Sequence, residues 1–276
     1  MSAELLSLKE RDKLLESFVG KSMSEVVCSL PTWPLFTEIE LENPEIVFYL
    51  LKYRFDHFDV EVWPPDESTG SQWPPQVDII ERPEDFLPAL RLKQGEKIEP
   101  RRLDVELEPG WGLGIASKVY LTKKEEELRR YQIPMMDFDF DPNEIDEYGV
   151  LWTIKKNLRE NAEMRGLILK SSGKPGHFHF LGDRLLTGRQ FLTFLGACLL
   201  MEYEGRPLAD SRFIGHTLTA RKVDFLDLGN YDERRGPYSI YDRMRDEDWP
   251  YPDLFATLRI KPGRFGLDES RVVDVL

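Results

Sequence analysis

Cysteine is scarce in this 276-residue chain, which contains only Cys28 and Cys198. The two are far apart in sequence, and neither has a partner at the short spacings that metal-binding cysteines show. A disulfide framework is not indicated. We therefore expect a reducing, cytoplasmic location.

Long apolar runs are also missing from the sequence. No stretch approaches the roughly 20 apolar residues that a membrane-spanning helix needs. The first residues lack a basic segment followed by an apolar one, so we expect no signal peptide. The sequence therefore predicts no membrane partner.

Positive charge is in deficit, with 37 Lys and Arg against 50 Asp and Glu, which gives a net charge of −13. Broad, non-specific phosphate binding needs clustered Lys and Arg, so this balance argues against it while leaving room for a locally basic groove. Charged residues are spread along the chain rather than gathered in blocks. Since 41% of the residues are hydrophobic, a globular protein with a sizeable core is expected.

Aspartates alternate with aromatic residues in Pro134-Met-Met-Asp137-Phe-Asp139-Phe-Asp141. In a strand, side chains alternate between the two faces, so the aspartates would share one face while Met136, Phe138 and Phe140 enter a core. A row of carboxylates is most readily kept when a hard cation lies between them. The alternative is a solvated polar edge of a half-buried strand.

The predicted secondary structure is mixed on both sides of this aspartate strand. Upstream of it we predict helices at residues 4–19 (with a Ser7–Glu10 capping box), 44–52, 83–92 and 122–131, and strands at 58–62, 77–80, 102–107 and 115–121. Downstream we predict helices at 142–161 and 187–201 and strands at 166–170, 177–181, 256–261 and 271–276. The downstream order indicates an antiparallel hairpin with helices on one face, which is an α+β fold.

A turn rich in Ser and Gly precedes the strand that carries two histidines, Ser171-Ser-Gly-Lys-Pro-Gly-His177-Phe-His179. Its backbone N–H groups, hydroxyl groups and ammonium suit an anion, while His177 and His179 share one face of the strand. Next to a carboxylate row, this turn favours a site for metal and triphosphate. The alternatives are a zinc or iron site that uses the histidines, and an ordinary hairpin turn.

These motifs resemble those of the archaeo-eukaryotic primase superfamily, the catalytic core of primases and primase-polymerases. Met135-Met-Asp137-Phe-Asp139 is similar to its first motif, and the Ser-Gly turn that closes on His177 is similar to its second. Ala209-Asp210-Ser-Arg212 is similar to its third motif, and Leu258-Arg259-Ile-Lys261 to its later basic strand. The resemblance covers residues 105–276. It implies a primase-type catalytic core with an RRM-like antiparallel sheet and flanking helices, and leaves residues 1–104 as an N-terminal α/β portion packed on that core.

The resemblance also implies a role for each matching residue. Asp137, Asp139 and Asp210 would be catalytic and would hold two Mg²⁺ or Mn²⁺ ions, with Asp224 and Asp227 as competing choices for the third acid. Ser172, Gly173, Lys174 and His177 would bind the nucleotide phosphates, and Arg259 and Lys261 would neutralise phosphate or template.

The predicted function is therefore a DNA-directed primase or polymerase type of nucleotidyltransferase. Its partners would be nucleoside triphosphates and a single-stranded template, which is held by a narrow basic groove or through a protein partner that supplies template affinity. One alternative is a catalytically silent nucleotide-binding or assembly protein on the same fold. The other is a metal-dependent hydrolase or glycosyltransferase.

Overall fold

The structure is a computed structural model that describes residues 7–33, 45–54, 90–93, 95–104, 111–122, 128–140, 146–170, 176–218, 257–261 and 269–276. Its helices are α1 (Leu8–Glu16), α2 (Met23–Ser29), α3 (Glu147–Glu160), α4 (Gly188–Leu199) and α5 (Ser211–Leu218), with short 3-10 helices at Leu30–Thr32 and Pro100–Leu103. Its strands are β1 (Glu45–Arg54), β2 (Leu90–Lys93), β3 (Trp111–Thr122), β4 (Leu128–Gln132), β5 (Met135–Asp139), β6 (Gly166–Lys170), β7 (His177–Gly182), β8 (Glu202–Tyr203), β9 (Arg206–Pro207), β10 (Thr257–Lys261) and β11 (Arg271–Val275).

The first sheet is built around the 12-residue strand β3. The order of its strands is β10-β3-β1-β2, and β4 pairs with β3 as well. Strand β10 pairs with residues 113–116 and β4 with residues 118–122, so the two follow one another along β3. Strands β1 and β2 precede the predicted boundary at residues 104 and 105, yet β1 pairs with β3 over most of its length. The N-terminal portion therefore shares a sheet with the predicted core.

The second sheet has the order β11-β6-β7-β5, and every pairing in it is antiparallel. Strands β6 and β7 form the predicted hairpin, and β5 adds to β7. With helices and antiparallel sheets in one chain, the predicted α+β class is confirmed.

Helices α3 and α4 cover one face of this second sheet. Phe180 packs on Phe194 of α4, with ring centroids 5.9 Å apart. On the same face, Lys170 reaches Glu147 of α3 at 2.8 Å. Side chains alternate along a strand, so the aspartates of β5 belong to the opposite face.

The predicted helix signals are found where the structure describes them. Ser7 and Glu10 form the predicted capping box at the start of α1. Two capping boxes that were not predicted, Ser22 with Glu25 and Thr187 with Gln190, begin α2 and α4. Helix α3 buries Val150, Ile154 and Leu158, as the apolar spacing in residues 142–161 predicts. The predicted strands at 115–121, 166–170, 177–181, 256–261 and 271–276 are also confirmed, within a few residues at their ends.

Several predictions ahead of the aspartate strand are wrong. The sequence predicts a helix at 44–52, but β1 occupies residues 45–54, since a continuous apolar run suits a buried strand equally well. Residues 90–92 and 128–131, at the ends of the helices predicted at 83–92 and 122–131, belong to strands β2 and β4. Residues 102 and 103, at the start of the strand predicted at 102–107, belong to a 3-10 helix. The strands predicted at 58–62 and 77–80 lie outside the described residues.

Residues near the start and the end of the chain meet in the structure. The Gly20 N–H donates to the Val272 carbonyl at 2.8 Å, and the Val272 N–H donates to the Lys21 carbonyl at 2.9 Å. A bridge also joins Ser22 to Arg271. Strand β11 is therefore paired with β6 and joined to the segment after α1.

Among the described residues, no helix is both long and apolar enough to cross a membrane. Cys28 is half-buried, Cys198 is buried, and both are free thiols. Burial raises the pKa of the Cys198 thiol.

Candidate active site on strands β5 and β7

The carboxylates of Asp137 and Asp139 lie on one face of β5, and both are half-buried. Met136 and Phe138 are fully buried and point to the other face, and Phe140 beyond the strand is buried as well. The predicted alternation is therefore confirmed. Asp141 lies outside the described residues.

The pairing of β5 with β7 sets each of these aspartates opposite a histidine. Asp139 is the partner of His177, and Asp137 is the partner of His179. The His177 Nε2 lies 2.9 Å from the Asp139 Oδ1, and the His179 Nε2 lies 3.5 Å from the Asp137 Oδ1. The imidazole of His177 can donate an N–H to Asp139, whereas the contact of His179 with Asp137 is longer, so the site contains two unequal histidine–aspartate pairs side by side.

The third predicted acid, Asp210, lies at the free edge of β5. The Asp210 N–H donates to the Asp137 carbonyl at 2.9 Å, and the Asp139 N–H donates to the Leu208 carbonyl at 3.2 Å. This pattern, with the bridge between Phe138 and Ala209, places Asp210 opposite Asp137. Residues directly opposite in an antiparallel pair share a face, so Asp210 belongs to the aspartate face. The competing acids Asp224 and Asp227 lie outside the described residues.

The backbone just before His177 is held by two neighbours. Gly176 has a φ of +80°, a conformation that glycine adopts readily. Its carbonyl accepts from the Phe140 N–H at 3.2 Å, and its N–H donates to the Glu147 Oε1 at 3.3 Å. His177 therefore starts β7 from a fixed peptide.

Glu147, the first residue of α3, also binds the Lys170 ammonium at 2.8 Å. The hydrogen bond from Lys170 holds the pKa of the Glu147 carboxyl below its ordinary value, and the Gly176 N–H acts in the same direction. Partial burial opposes both. Glu147 is therefore favoured in its ionised form.

Of the remaining nucleotide-binding candidates, the structure describes only the backbone of Arg259 and Lys261. Ser172, Gly173 and Lys174 lie outside the described residues. Arg259 and Lys261 belong to β10, which pairs with β3 and also lies against β5. For these two residues the backbone alone is described. Their strand thus lies beside the strand of the aspartates.

The donor chemistry of the aspartate face suits a hard divalent cation, since three carboxylates are carried by two adjacent backbone segments. Within the described ranges, however, no group of three or more His, Cys, Asp or Glu side chains is gathered closely enough to hold a metal ion. The aspartates of β5 contact histidines instead.

Comparison with known families gives one match. The model of the AEP-like family, described as archaeo-eukaryotic primase 1D-like, matches residues 95–226. This match supports the resemblance to the archaeo-eukaryotic primase superfamily that the motifs predict. Searches of the curated proteins and of the solved structures found no match.

The matched segment contains β3 to β9 and α3 to α5, and therefore Asp137, Asp139, His177 and Asp210. Strands β1, β2, β10 and β11 lie outside the match, although they complete the two sheets. The basic strand with Arg259 and Lys261 is thus joined to the matched segment by pairing with β3.

Sequence reasoning missed Glu147 and the pairing of each aspartate with a histidine. An acid in the first turn of the helix after the aspartate motif was a weak signal for Glu147, because such residues are common at helix starts. The register between β5 and β7 had no local signal, since residues 137 and 179 are far apart in sequence.

Proposed function

We propose that this protein is a metal-dependent nucleotidyltransferase of primase or primase-polymerase type, which adds nucleotides to a nucleic-acid strand. The observation that supports it best is the placement of the three motif positions. Asp137, His177 and Asp210 come from distant parts of the sequence, yet they lie on neighbouring backbone segments of one sheet face. The family match over residues 95–226 agrees with this reading.

In this proposal Asp137, Asp139 and Asp210 hold two Mg²⁺ or Mn²⁺ ions. Two such ions can activate the attacking 3′-hydroxyl and stabilise the departing pyrophosphate. The substrate is a nucleoside triphosphate, whose phosphates are bound by the residues of the Ser-Gly turn and the strand after it: Ser172, Gly173, Lys174 and His177.

The template in this proposal is a single-stranded nucleic acid. Arg259 and Lys261 would neutralise its phosphates or those of the nucleotide. Because the net charge is −13, template affinity comes from a narrow basic groove or from a protein partner. The free thiols of Cys28 and Cys198 support a cytoplasmic location.

Nucleotide incorporation tests this function. Wild type and the Asp137→Ala/Asp139→Ala double variant are compared on primed and unprimed single-stranded templates with Mg²⁺ or Mn²⁺. Asp274→Asn is the matched control, because Asp274 lies on β11 at the opposite edge of the same sheet. Incorporation by wild type and control, with loss in the double variant, supports the proposal. Incorporation that persists in a folded double variant contradicts it.

A second candidate is a nucleotide-binding or assembly protein without catalysis. It is favoured by the contact of both β5 aspartates with histidines. Calorimetry decides between the two. Nucleotide binding without incorporation on either template supports the second candidate, and incorporation excludes it.

A further inference from the structure

Helix α3 begins against the two ends of the hairpin that carries His177. Its first residue, Glu147, binds Lys170, the last residue of β6, at 2.8 Å. The same carboxylate accepts from the N–H of Gly176, the residue before β7, at 3.3 Å. One side chain therefore connects the end of one strand to the start of the next, and residues 171–175 lie between these two points in the sequence.

Gly176 is also fixed from the side of the aspartate strand. The Phe140 N–H, one residue beyond β5, donates to the Gly176 carbonyl at 3.2 Å. Gly176, and with it the peptide before His177, is thus held by Phe140 through its carbonyl and by α3 through its N–H. Because the His177 Nε2 lies 2.9 Å from the Asp139 Oδ1, a shift of this peptide would move the imidazole relative to the carboxylate.

We propose that Glu147 is a positioning residue for His177, acting through its hydrogen bond with the Gly176 N–H. This inference rests on the proposed function, since His177 is there assigned to the nucleotide phosphates. Glu147 acts from the start of α3 through Lys170 and the Gly176 N–H. It sets where β7 starts, and so where His177 stands against Asp139.

Helix α3 offers a matched control for the loss of an ion pair alone. Lys155 binds Asp274 of β11 at 2.7 Å, which ties the same helix to the same sheet. The side chains of Lys155 and Asp274 are 28% and 31% exposed. Those of Lys170 and Glu147 are 42% and 38% exposed, so the two ion pairs are similarly accessible. The Lys155 pair joins α3 to β11, at the edge of the sheet opposite β5, so it separates helix docking from positioning.

Four variants separate the contributions of the Glu147 carboxylate. Glu147→Ala removes both contacts, whereas Glu147→Gln keeps an oxygen that can accept from the Gly176 N–H. Lys170→Met removes the ion pair and leaves the contact with Gly176. Lys155→Met is the control. Thermal unfolding by circular dichroism confirms that each variant is folded before binding is measured.

The first readout is nucleoside triphosphate affinity by calorimetry with Mn²⁺, together with KM and kcat for incorporation. We expect Glu147→Ala to weaken affinity and raise KM about tenfold, as expected for loss of a hydrogen bond to a charged acceptor. For Glu147→Gln and Lys170→Met, the affinity and the KM should stay within about threefold of the wild-type values. For Lys155→Met, both should equal the wild-type values. Equal effects of Glu147→Ala and Lys155→Met would overturn the inference.

The second readout needs neither nucleotide nor metal. In protein labelled with ¹⁵N-histidine, NMR reports the imidazole of His177 directly. We expect its signal to shift in Glu147→Ala and to stay in place in Lys155→Met. If wild type binds no nucleotide but this shift occurs, the proposed function fails and the positioning role stands. If nucleotide binds and Glu147→Ala leaves both affinity and signal unchanged, the positioning role fails and the proposed function stands.

Discussion

Alanine at Gly166 should destabilise the protein, because the first residue of β6 lies against the backbone of β7. A Cβ at this position would lie 2.2 Å from the Leu181 carbonyl oxygen and 2.7 Å from the Gly182 Cα. Both are backbone atoms, so no side chain can turn away. Reaching ordinary contact at 3.4 Å requires the strands to separate by about 1.2 Å, the difference between 3.4 and 2.2 Å.

This separation gives the magnitude of the effect. The Asp183 N–H donates to the Arg165 carbonyl at 2.9 Å next to this point, and a further ~1.2 Å would break that bond, which costs about 1 kcal/mol. Overpacking of the hairpin adds roughly 1–3 kcal/mol. We expect Gly166→Ala to lower the free energy of unfolding by about 3 kcal/mol, and the unfolding midpoint by roughly 6–12 °C.

The assay is thermal and urea unfolding followed by circular dichroism, with Gly196→Ala as the control. Gly196 lies within α4, and a Cβ there would meet nothing within 4 Å. Since alanine favours a helix over glycine by roughly 0.5–1 kcal/mol, the control should be more stable than wild type. The same Gly→Ala substitution should thus change the free energy of unfolding in opposite directions at the two sites. A loss below about 0.5 kcal/mol in Gly166→Ala would refute the reasoning on the backbone contact.

Three further predictions concern the site and its support. Lys174→Ala should weaken nucleoside triphosphate binding about tenfold or more, because the lysine ammonium interacts directly with the phosphate charge. His179→Ala should weaken it less than threefold, about a third of that effect or below. Equal losses of affinity in a binding titration would contradict this prediction. Phe180→Ala should lower the free energy of unfolding by roughly 3–5 kcal/mol, measured by urea unfolding, because the Phe180 ring is buried against α4. A change under about 1 kcal/mol would show that the ring is not packed in this way. Because the pKa of Glu147 is lowered in the folded protein, its ionised carboxylate should stabilise the fold at pH values above 4.5, the ordinary pKa of the group. This stabilisation is lost as the pH falls through the folded-state pKa. Wild type should therefore lose more stability than Glu147→Gln between about pH 6 and pH 3, and parallel curves would exclude this linkage.

The elements around the site could be predicted because their signals are local. Alternation of Asp137 and Asp139 with Phe138 defines a strand with one buried face. Thr187 and Gln190 mark the start of α4 through a capping box, which needs residues only three positions apart.

The first sheet was harder to predict because its strands depend on distant partners. Residues 45–54 are apolar over most of their length, and such a run fits a buried helix as well as a central strand. Residues 128–132 are rich in charge and suit a surface helix by propensity. Pairing with residues 118–122 of β3 makes them a strand, and no local pattern reports that pairing.

The geometry of the site depends on register, which the sequence leaves open. Alternation places His177 and His179 on one face, but a shift of two residues along β5 would keep the faces and change every partner. The contacts of His177 with Asp139 and of Gly176 with Glu147 follow from the register and from the docking of α3. They could be found only in three dimensions.

The pairing of residues 20–22 with 271–272 has a consequence for synthesis on the ribosome. Strand β10 completes the first sheet, and β11 completes the second and joins the segment after α1. During translation β6, with its buried Leu167 and Leu169, would leave the ribosome more than a hundred residues before its partner β11. Until β11 is available, the edge of β6 that pairs with it stays open, and such an edge is a site for non-native strand pairing.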